Sequence, residues 1–229
     1  MSQYILSIEL LSDTTFGRGD GVAGLVDVEV QHDATGCPFL QGRALKGMLV
    51  QECADILAAL PENSPYQASA RRLFGEPGSA VEAGARLSIS DARLPHDLRV
   101  ELARDGLPRD AVLNSLTTLR RQTAIETDGK HRGVAKAETL RTARVILRGT
   151  PFEAELYLDE GAYPAGDAGR AQVQQDMALL AACVKAFRRA GTGRNRGRGR
   201  LQAQLHALDI SGNRIASQAF EGFKRSVQQ

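Results

Sequence analysis

Residues 168–207 read AGRAQVQQDMALLAACVKAFRRAGTGRNRGRGRLQAQLHA and contain the pattern of a helix, a loop and a strand in succession. Apolar residues recur at three- and four-residue intervals, which predicts a long helix over about Ala168–Ala190 that ends at Gly191. The loop that follows interleaves six arginines with glycines over Arg188–Arg200. Apolar and polar residues then alternate over Leu201–Ala207, which predicts a half-buried strand.

The arginine-rich loop has the composition of an anion-binding segment. Glycines allow positive φ angles and a close approach of backbone N–H groups, and arginine guanidinium groups donate in pairs to phosphate oxygens. The net charge of the whole chain is only +2, so positive charge is concentrated at this loop. The loop therefore predicts a binding track for a nucleic acid. A solvated arginine turn at the end of a helix is the alternative interpretation.

Composition limits the class of protein. The chain has 229 residues, 42% of them apolar, which is enough for a single domain over residues 1–229 with a buried core. No segment approaches the roughly 20 apolar residues of a membrane span, so we expect a cytoplasmic protein without a membrane partner. The three cysteines and four histidines are scattered, with the spacing of neither a disulfide framework nor a metal site.

The rest of the chain supplies the other elements of an α+β fold. Periodicity predicts a second helix over about Arg43–Leu60, with one apolar stripe that faces the core. Alternating residues predict strands at Tyr4–Leu11, Val26–Val30, Ala85–Ala92, Leu140–Leu147 and Phe152–Leu158. This order predicts a ferredoxin-like βαββαβ core, which is also the plan of RNA-recognition motifs.

Two long segments exceed what such a core needs as connections. They cover about residues 12–41 and 108–140, and long loops in compact domains are usually functional. The second contains Thr127-Asp128-Gly129-Lys130, a strong hairpin signal, which predicts a thumb-like finger from about Leu119 to Arg141. In and around this finger lies a second basic cluster, made of Arg120, Arg121, Lys130, His131, Arg132 and Lys136.

Four stretches, in order along nearly the whole chain, resemble motifs of the RAMP superfamily of CRISPR effector proteins. PFLQGRALKG (residues 38–47) is similar to the segment that leads into the family's first helix, and RLFG (72–75) to its L-F-G turn. RLSISDA (86–92) is similar to its G-R-L-x-x-x-D-A strand, and RNRGRGR (194–200) to its closing S-R-G-x-G-R loop. The chain most resembles the backbone subunits of type III complexes, which line a guide RNA in repeated copies and cut the paired target RNA.

The resemblance implies where guide RNA would be contacted. At the start of the first helix, Gly42 and Gly47 would let the backbone approach a phosphate beside Arg43 and Lys46, although both glycines could instead serve tight packing. Segments 123–125 and 135–144 resemble the family's thumb hairpin, in which Ile125 would act as an apolar wedge at a base step. In the closing loop the implied RNA contacts are Arg194, Arg196, Gly197, Arg198 and Gly199.

Asp27 matches the position of the family's catalytic aspartate, and Asp33 follows it at the family's spacing. A carboxyl group with an ordinary pKa of about 3.9 is a poor base at neutral pH. Asp27 would therefore hold a divalent cation, with Mg²⁺ the expected one, or orient a ribose 2′-OH for attack. Glu29 would share a face with Asp27 in extended chain and offer the cation a second oxygen. A surface acid without a catalytic role is the alternative for Asp27.

The chain departs from the family pattern at three places. Gln41 stands in place of a proline, Arg43-Ala44 in place of paired serines, and Val28-Glu29 where the family often has a small residue and proline. These departures leave open a catalytically inactive, RNA-scaffolding subunit. The expected partners are guide RNA, target RNA, further copies of the chain or related RAMP subunits, and the large polymerase-like and small subunits of the effector complex.

Two other functions are disfavoured by composition. Guide-processing endoribonucleases of the same superfamily usually rely on a histidine in or near the first helix, and residues 42–60 contain none. A generic single-stranded binder of the recognition-motif type stacks bases on sheet aromatics, whereas this chain is only 5% aromatic and has no Trp.

Overall fold

The structure is a computed structural model that describes residues 2–22, 25–76, 84–123, 134, 140–209 and 211–228. Its strands are β1 (Ser2–Leu10), β2 (Leu87–Ile89), β3 (Thr117–Gln122), β4 (Arg141–Ile146), β5 (Pro151–Leu158), β6 (Leu201–Leu208) and β7 (Arg214–Ala216). Its helices are α1 (Gly42–Ala58), α2 (Tyr66–Phe74), α3 (His96–Arg104), α4 (Arg109–Leu116), α5 (Asp167–Ala186) and α6 (Ala219–Val227).

The larger of two sheets has five strands in the order β2-β5-β1-β6-β7, and all of its pairings are antiparallel. At its centre, Leu6 of β1 lies opposite Ala154 of β5 on one side and Leu205 of β6 on the other. Within the described residues, the second sheet consists of β3 and β4, which are also antiparallel. The predicted α+β class is confirmed, and the sheets are antiparallel.

The core lies between the larger sheet and the helices packed on one of its faces. Alternation along β1 buries Leu6, Ile8 and Leu10, because successive side chains of a strand point to opposite faces. The apolar stripe of α1 is buried at Leu45, Leu49 and Cys53, as the periodicity predicts. These residues join the inward side chains of β5, α5 and β6 in one hydrophobic cluster.

Three predictions about individual strands and helices are corrected by the structure. Residues 26–30 form isolated bridges, among them Val28 with Ala143 and Val30 with Gly17, because they contact different segments one residue at a time. The strand predicted at Leu140–Leu147 exists as β4, but it pairs with β3 outside the larger sheet. Helix α5 ends at Ala186, where the next residue takes an extended ψ of 92°.

Several elements carry no strong periodic signal and were not predicted from sequence. They are α2, α3, α4, α6 and β7. α6 packs on α5 and α2, with Phe223 against the ring of Tyr66 at a centroid distance of 4.9 Å. In the described part of the chain, no helix combines the length and apolar character that a membrane crossing requires.

Candidate nucleic-acid interface

Glycines determine the shape of the arginine-rich loop. A 3-10 turn, Arg194–Arg196, lies between Gly193 and Gly197, both in the left-handed region with φ of 80°. At Gly199, also at positive φ, an added Cβ would lie 2.0 Å from the carbonyl oxygen of Ala190. Gly199 is buried and is therefore required for packing against the protein's own backbone, whereas Gly197 is exposed with open space around it.

The loop is tied to the beginning of the first long segment. The Thr192 amide donates to the carbonyl of Thr15 at 2.9 Å, and the Gly199 amide donates to the carbonyl of Asp13 at 3.2 Å. The Arg200 amide donates to Ser12 Oγ at 2.9 Å. Residues 12–15 therefore hold both ends of the arginine loop against the sheet.

The loop arginines form no close ion pair with carboxylates of the described residues. Among the described residues, none of the six arginines between Arg188 and Arg200 has a carboxylate oxygen within 4.0 Å. Arg194 and Arg196 are exposed, and Arg198 is half-buried. Glu52 is a more distant counter-charge to Arg194 and Arg188, which act electrostatically on its carboxylate. A cluster of like charges without close ion pairs favours a bound polyanion, because binding relieves the mutual repulsion.

The start of α1 and the arginine loop meet at one cavity of about 250 Å³. Gln41 and Ala44 line it from the helix, and Thr192 and Arg194 line it from the loop. At this helix start, the amides of Arg43 and Ala44 have no acceptor within the described residues. The structure thus brings together two regions that the sequence analysis had predicted separately to contact RNA.

The individual residues at the start of α1 have different surroundings. Gly42 is buried, its amide donates to Asp91 Oδ1 at 2.9 Å, and an added Cβ would lie 2.4 Å from the carbonyl oxygen of Ile89. Of the two interpretations of Gly42, this geometry favours tight packing. Lys46 Nζ donates to the carbonyl of Leu87 at 3.1 Å, and burial lowers the pKa of Lys46. Arg43 and Gly47, in contrast, are exposed.

The base of the finger adjoins the arginine loop. β3 and β4 pair from Thr117 opposite Ile146 to Gln122 opposite Arg141, while Ile125, Thr127–Arg132 and Lys136 lie outside the described residues. A cavity of about 470 Å³ at this base is lined by Arg120, Arg148 and Arg198.

Asp13 connects these parts, although the sequence analysis did not single it out. Its Oδ2 accepts from Arg120 at 2.8 Å, and its Oδ1 accepts from the Arg148 amide at 3.3 Å. Arg148 was also missed. Neither residue belongs to a motif, since each acts through contacts between segments distant in sequence.

Asp27 is exposed and held by the finger base. Its Oδ2 accepts from the Thr142 amide at 2.6 Å, and its own amide donates to the Thr142 carbonyl at 2.8 Å. Within the described residues, Oδ1 of Asp27 has no hydrogen-bond partner. One carboxylate oxygen of Asp27 is therefore available to a ligand.

Glu29 has very different surroundings. Its side chain is only 4% exposed, and its Oε1 lies 2.9 Å from Nε of Arg144. Oε1 also accepts from the Val30 amide at 2.8 Å, and Oε2 lies 3.2 Å from Nε of Arg144. Both oxygens are occupied, so Glu29 would have to leave Arg144 in order to ligate a cation. This occupation argues against the expected second ligand.

Asp27 offers a divalent cation one carboxylate oxygen that is free of hydrogen bonds within the described residues. No group of three or more candidate metal-ligating side chains occurs in the described residues. Mg²⁺ is commonly bound by one or two carboxylates together with substrate phosphates and water. Asp27 fits such a cation only if RNA phosphate oxygens complete the ligand set.

Comparisons with known proteins agree with this architecture. The family model described as the RAMP superfamily matches residues 7–202. A chain from a cryo-EM structure of the type III-B Cmr-beta complex bound to cognate target RNA superposes with a TM-score of 0.61 at 13% identity, covering 90% of this chain and 97% of that chain.

A chain from the same complex in its apo state gives a TM-score of 0.62 at 13% identity and covers 89% of this chain and 97% of that chain. At such identities the likeness is one of fold. No curated protein matches the sequence. Because the family match spans most of the chain, from β1 into β6, the chain belongs to the RAMP superfamily.

Proposed function

We propose that this protein is a backbone subunit of a type III CRISPR effector complex that binds guide RNA and cleaves the paired target RNA. The observation that carries the proposal is the meeting of α1 with the exposed arginine loop at one surface. Its partners would be guide and target RNA, further copies or related RAMP subunits, and the large polymerase-like and small subunits. The similar chains come from type III-B Cmr-beta complexes, one of them bound to cognate target RNA, which supports the RNA partner.

The core is best interpreted as ferredoxin-like with additions. The order β2-β5-β1-β6, with α1 and α2 before β2 and α5 before β6, supports a βαββαβ plan in which β7 and the β3–β4 finger are extra. A recognition-motif mode of binding is disfavoured, because such modules stack bases on sheet aromatics and the chain is only 5% aromatic with no Trp.

RNA binding is tested by salt dependence. Arg196→Ala/Arg198→Ala should weaken binding of single-stranded guide RNA and flatten the slope of log affinity against log salt by roughly 0.7 per lost phosphate contact. Arg104→Ala is a matched control, because Arg104 lies on α3 and pairs with Glu101 on the surface. If the double variant keeps both the wild-type RNA affinity and the wild-type salt slope, the loop does not bind RNA and is only a solvated turn.

Cleavage is assigned to Asp27. With one carboxylate oxygen on the Thr142 amide and the other available, Asp27 would hold a divalent cation, expected to be Mg²⁺, against the target phosphate. Such a cation, when bound, would polarise the phosphate and stabilise its developing charge. Alternatively, Asp27 would use its available oxygen to orient the adjacent ribose hydroxyl; in either role, the bond from the Thr142 amide of β4 would keep the carboxylate in place.

Asp27→Asn tests this assignment with minimal disturbance. An amide oxygen can still accept from the Thr142 amide, but the charge that favours a cation is lost. Cutting of target RNA paired to the guide should fall at least about a hundredfold, with RNA affinity nearly unchanged. Asp20→Asn is the matched control. It removes one negative charge from the same long segment, from an exposed ion pair with Arg18, and this variant should cut target RNA at the wild-type rate. Wild-type cutting by Asp27→Asn would favour the catalytically inactive scaffold.

The scaffold is the second candidate, and one observation favours it. Glu29 is committed to Arg144, so the described residues place a single available carboxylate at the expected cleavage site. A guide-processing endoribonuclease stays disfavoured, because α1 contains no histidine.

A further inference from the structure

The cavity between α1 and the arginine loop has a lining that a phosphate does not need. Its floor is apolar and includes Phe16, Leu40 and Met48, with Phe16 only 3% and Leu40 only 5% exposed. Arg194 is the positively charged group at its edge. A site built for phosphate alone would be polar throughout, since charged oxygens gain nothing from apolar contact.

Two side-chain amides complete the rim of this cavity. Gln31 and Gln41 both line it, and within the described residues neither side chain has a hydrogen-bond partner. Each amide offers both donors and an acceptor, which is the mixture displayed along the edge of a nucleobase. Backbone hydrogen bonds hold both residues in place. The backbone N–H of Gln31 donates to the Phe16 carbonyl at 2.6 Å, and the backbone carbonyl of Gln41 accepts from the Leu45 N–H at 2.9 Å.

We propose that this cavity binds one unstacked RNA base, with Gln31 and Gln41 contacting its edge and Arg194 contacting the adjoining phosphate. The volume of about 250 Å³ is below the roughly 300–1,000 Å³ of pockets for drug-sized ligands, which suits a single base and excludes a stacked pair. The exposed loop arginines Arg194 and Arg196 favour RNA over an apolar protein side chain as the occupant. This proposal rests on the proposed RNA binding and adds a contact to a base.

The test compares binding of the purified full-length chain to short single-stranded oligouridine and to the same ribose-phosphate strand without bases. Base contacts of this kind are worth about 1–3 kcal/mol, so the wild type should prefer oligouridine by about 5- to 150-fold. Ala44→Leu fills the cavity from an exposed helix position and should remove the preference for oligouridine over the baseless strand. Gln31→Ala/Gln41→Ala should reduce the preference in the same way.

Matched controls exist for both changes. Ala54→Leu makes the same substitution at another exposed position of α1, and Gln202→Ala removes an exposed amide from β6. Both should keep the wild-type preference. Helix content and thermal unfolding midpoints would verify that all variants fold.

The outcomes separate the two proposals. Failure of the wild type to bind either strand at low salt would overturn the RNA-binding proposal itself. Equal binding of both strands by the wild type would overturn only the base-binding proposal. So would an Ala44→Leu variant that keeps the preference or loses affinity for both strands equally. Normal RNA binding by Ala44→Leu with impaired joining of copies would instead identify a protein side chain as the occupant.

Discussion

Removing Glu29 should destabilise the fold far more than removing an exposed acid. The side chains of Glu29 and Arg144 are 4% and 10% exposed, so Glu29→Ala would leave a buried guanidinium without its counter-charge. Breaking one side of a buried pair costs about 3–5 kcal/mol. Arg144 keeps Asn114 Oδ1 at 3.0 Å and Thr117 Oγ1 at 3.2 Å, which places the expected loss near the lower end.

For a chain of this size, about 3 kcal/mol corresponds to a fall of roughly 6–12 °C in Tm, measurable by thermal or urea denaturation. Glu101→Ala is the control, because Glu101 and Arg104 are 57% and 73% exposed and the loss should stay under about 1 kcal/mol. The double variant Glu29→Leu/Arg144→Met should recover most of the stability, since no charge stays buried.

Two results would refute this reasoning. One is a Glu29→Ala protein as stable as Glu101→Ala. The other is a double variant no more stable than Glu29→Ala alone, which would show that lost packing and not the uncompensated charge determines the loss.

Two further predictions concern the arginine loop and the sheet. Gly199→Ala should destabilise more than Gly197→Ala in urea denaturation. Both pay about 1–2 kcal/mol for positive φ, but only at Gly199 would the Cβ lie 2.0 Å from a carbonyl oxygen; equal losses would contradict the packing role. Burial and then Arg214 lower the pKa of His206 from its ordinary value of 6.5. Near pH 6.5 the unfolded chain therefore binds more protons than the folded chain. Stability should therefore fall as pH decreases through that range, and less so in His206→Gln; equal falls would exclude His206 as a contributor.

The sequence predicts the large elements well because their signals are local. Alternation in β1, β5 and β6, and the stripe of α1, follow from whether each side chain faces the core, and the structure buries those residues. The short helices α3 and α4 lack such a signal, since they bury few residues or none. The finger tip and Ile125 lie outside the described residues, so their predicted roles stay predictions.

Some features of the candidate site follow from neighbouring residues in the sequence, and others depend on contacts between distant segments. By itself, the sequence determined that arginines and glycines concentrate after α5, that a helix begins near Arg43, and that Asp27 lies in a stretch whose resemblance to the family predicts a catalytic aspartate, because each of these is a feature of contiguous residues. Only the tertiary structure decided that Gln41 and Arg194 border one cavity and that Glu29 forms a buried ion pair with Arg144. Those are contacts between residues far apart along the chain, and local periodicity carries no information about which distant segments will pack together.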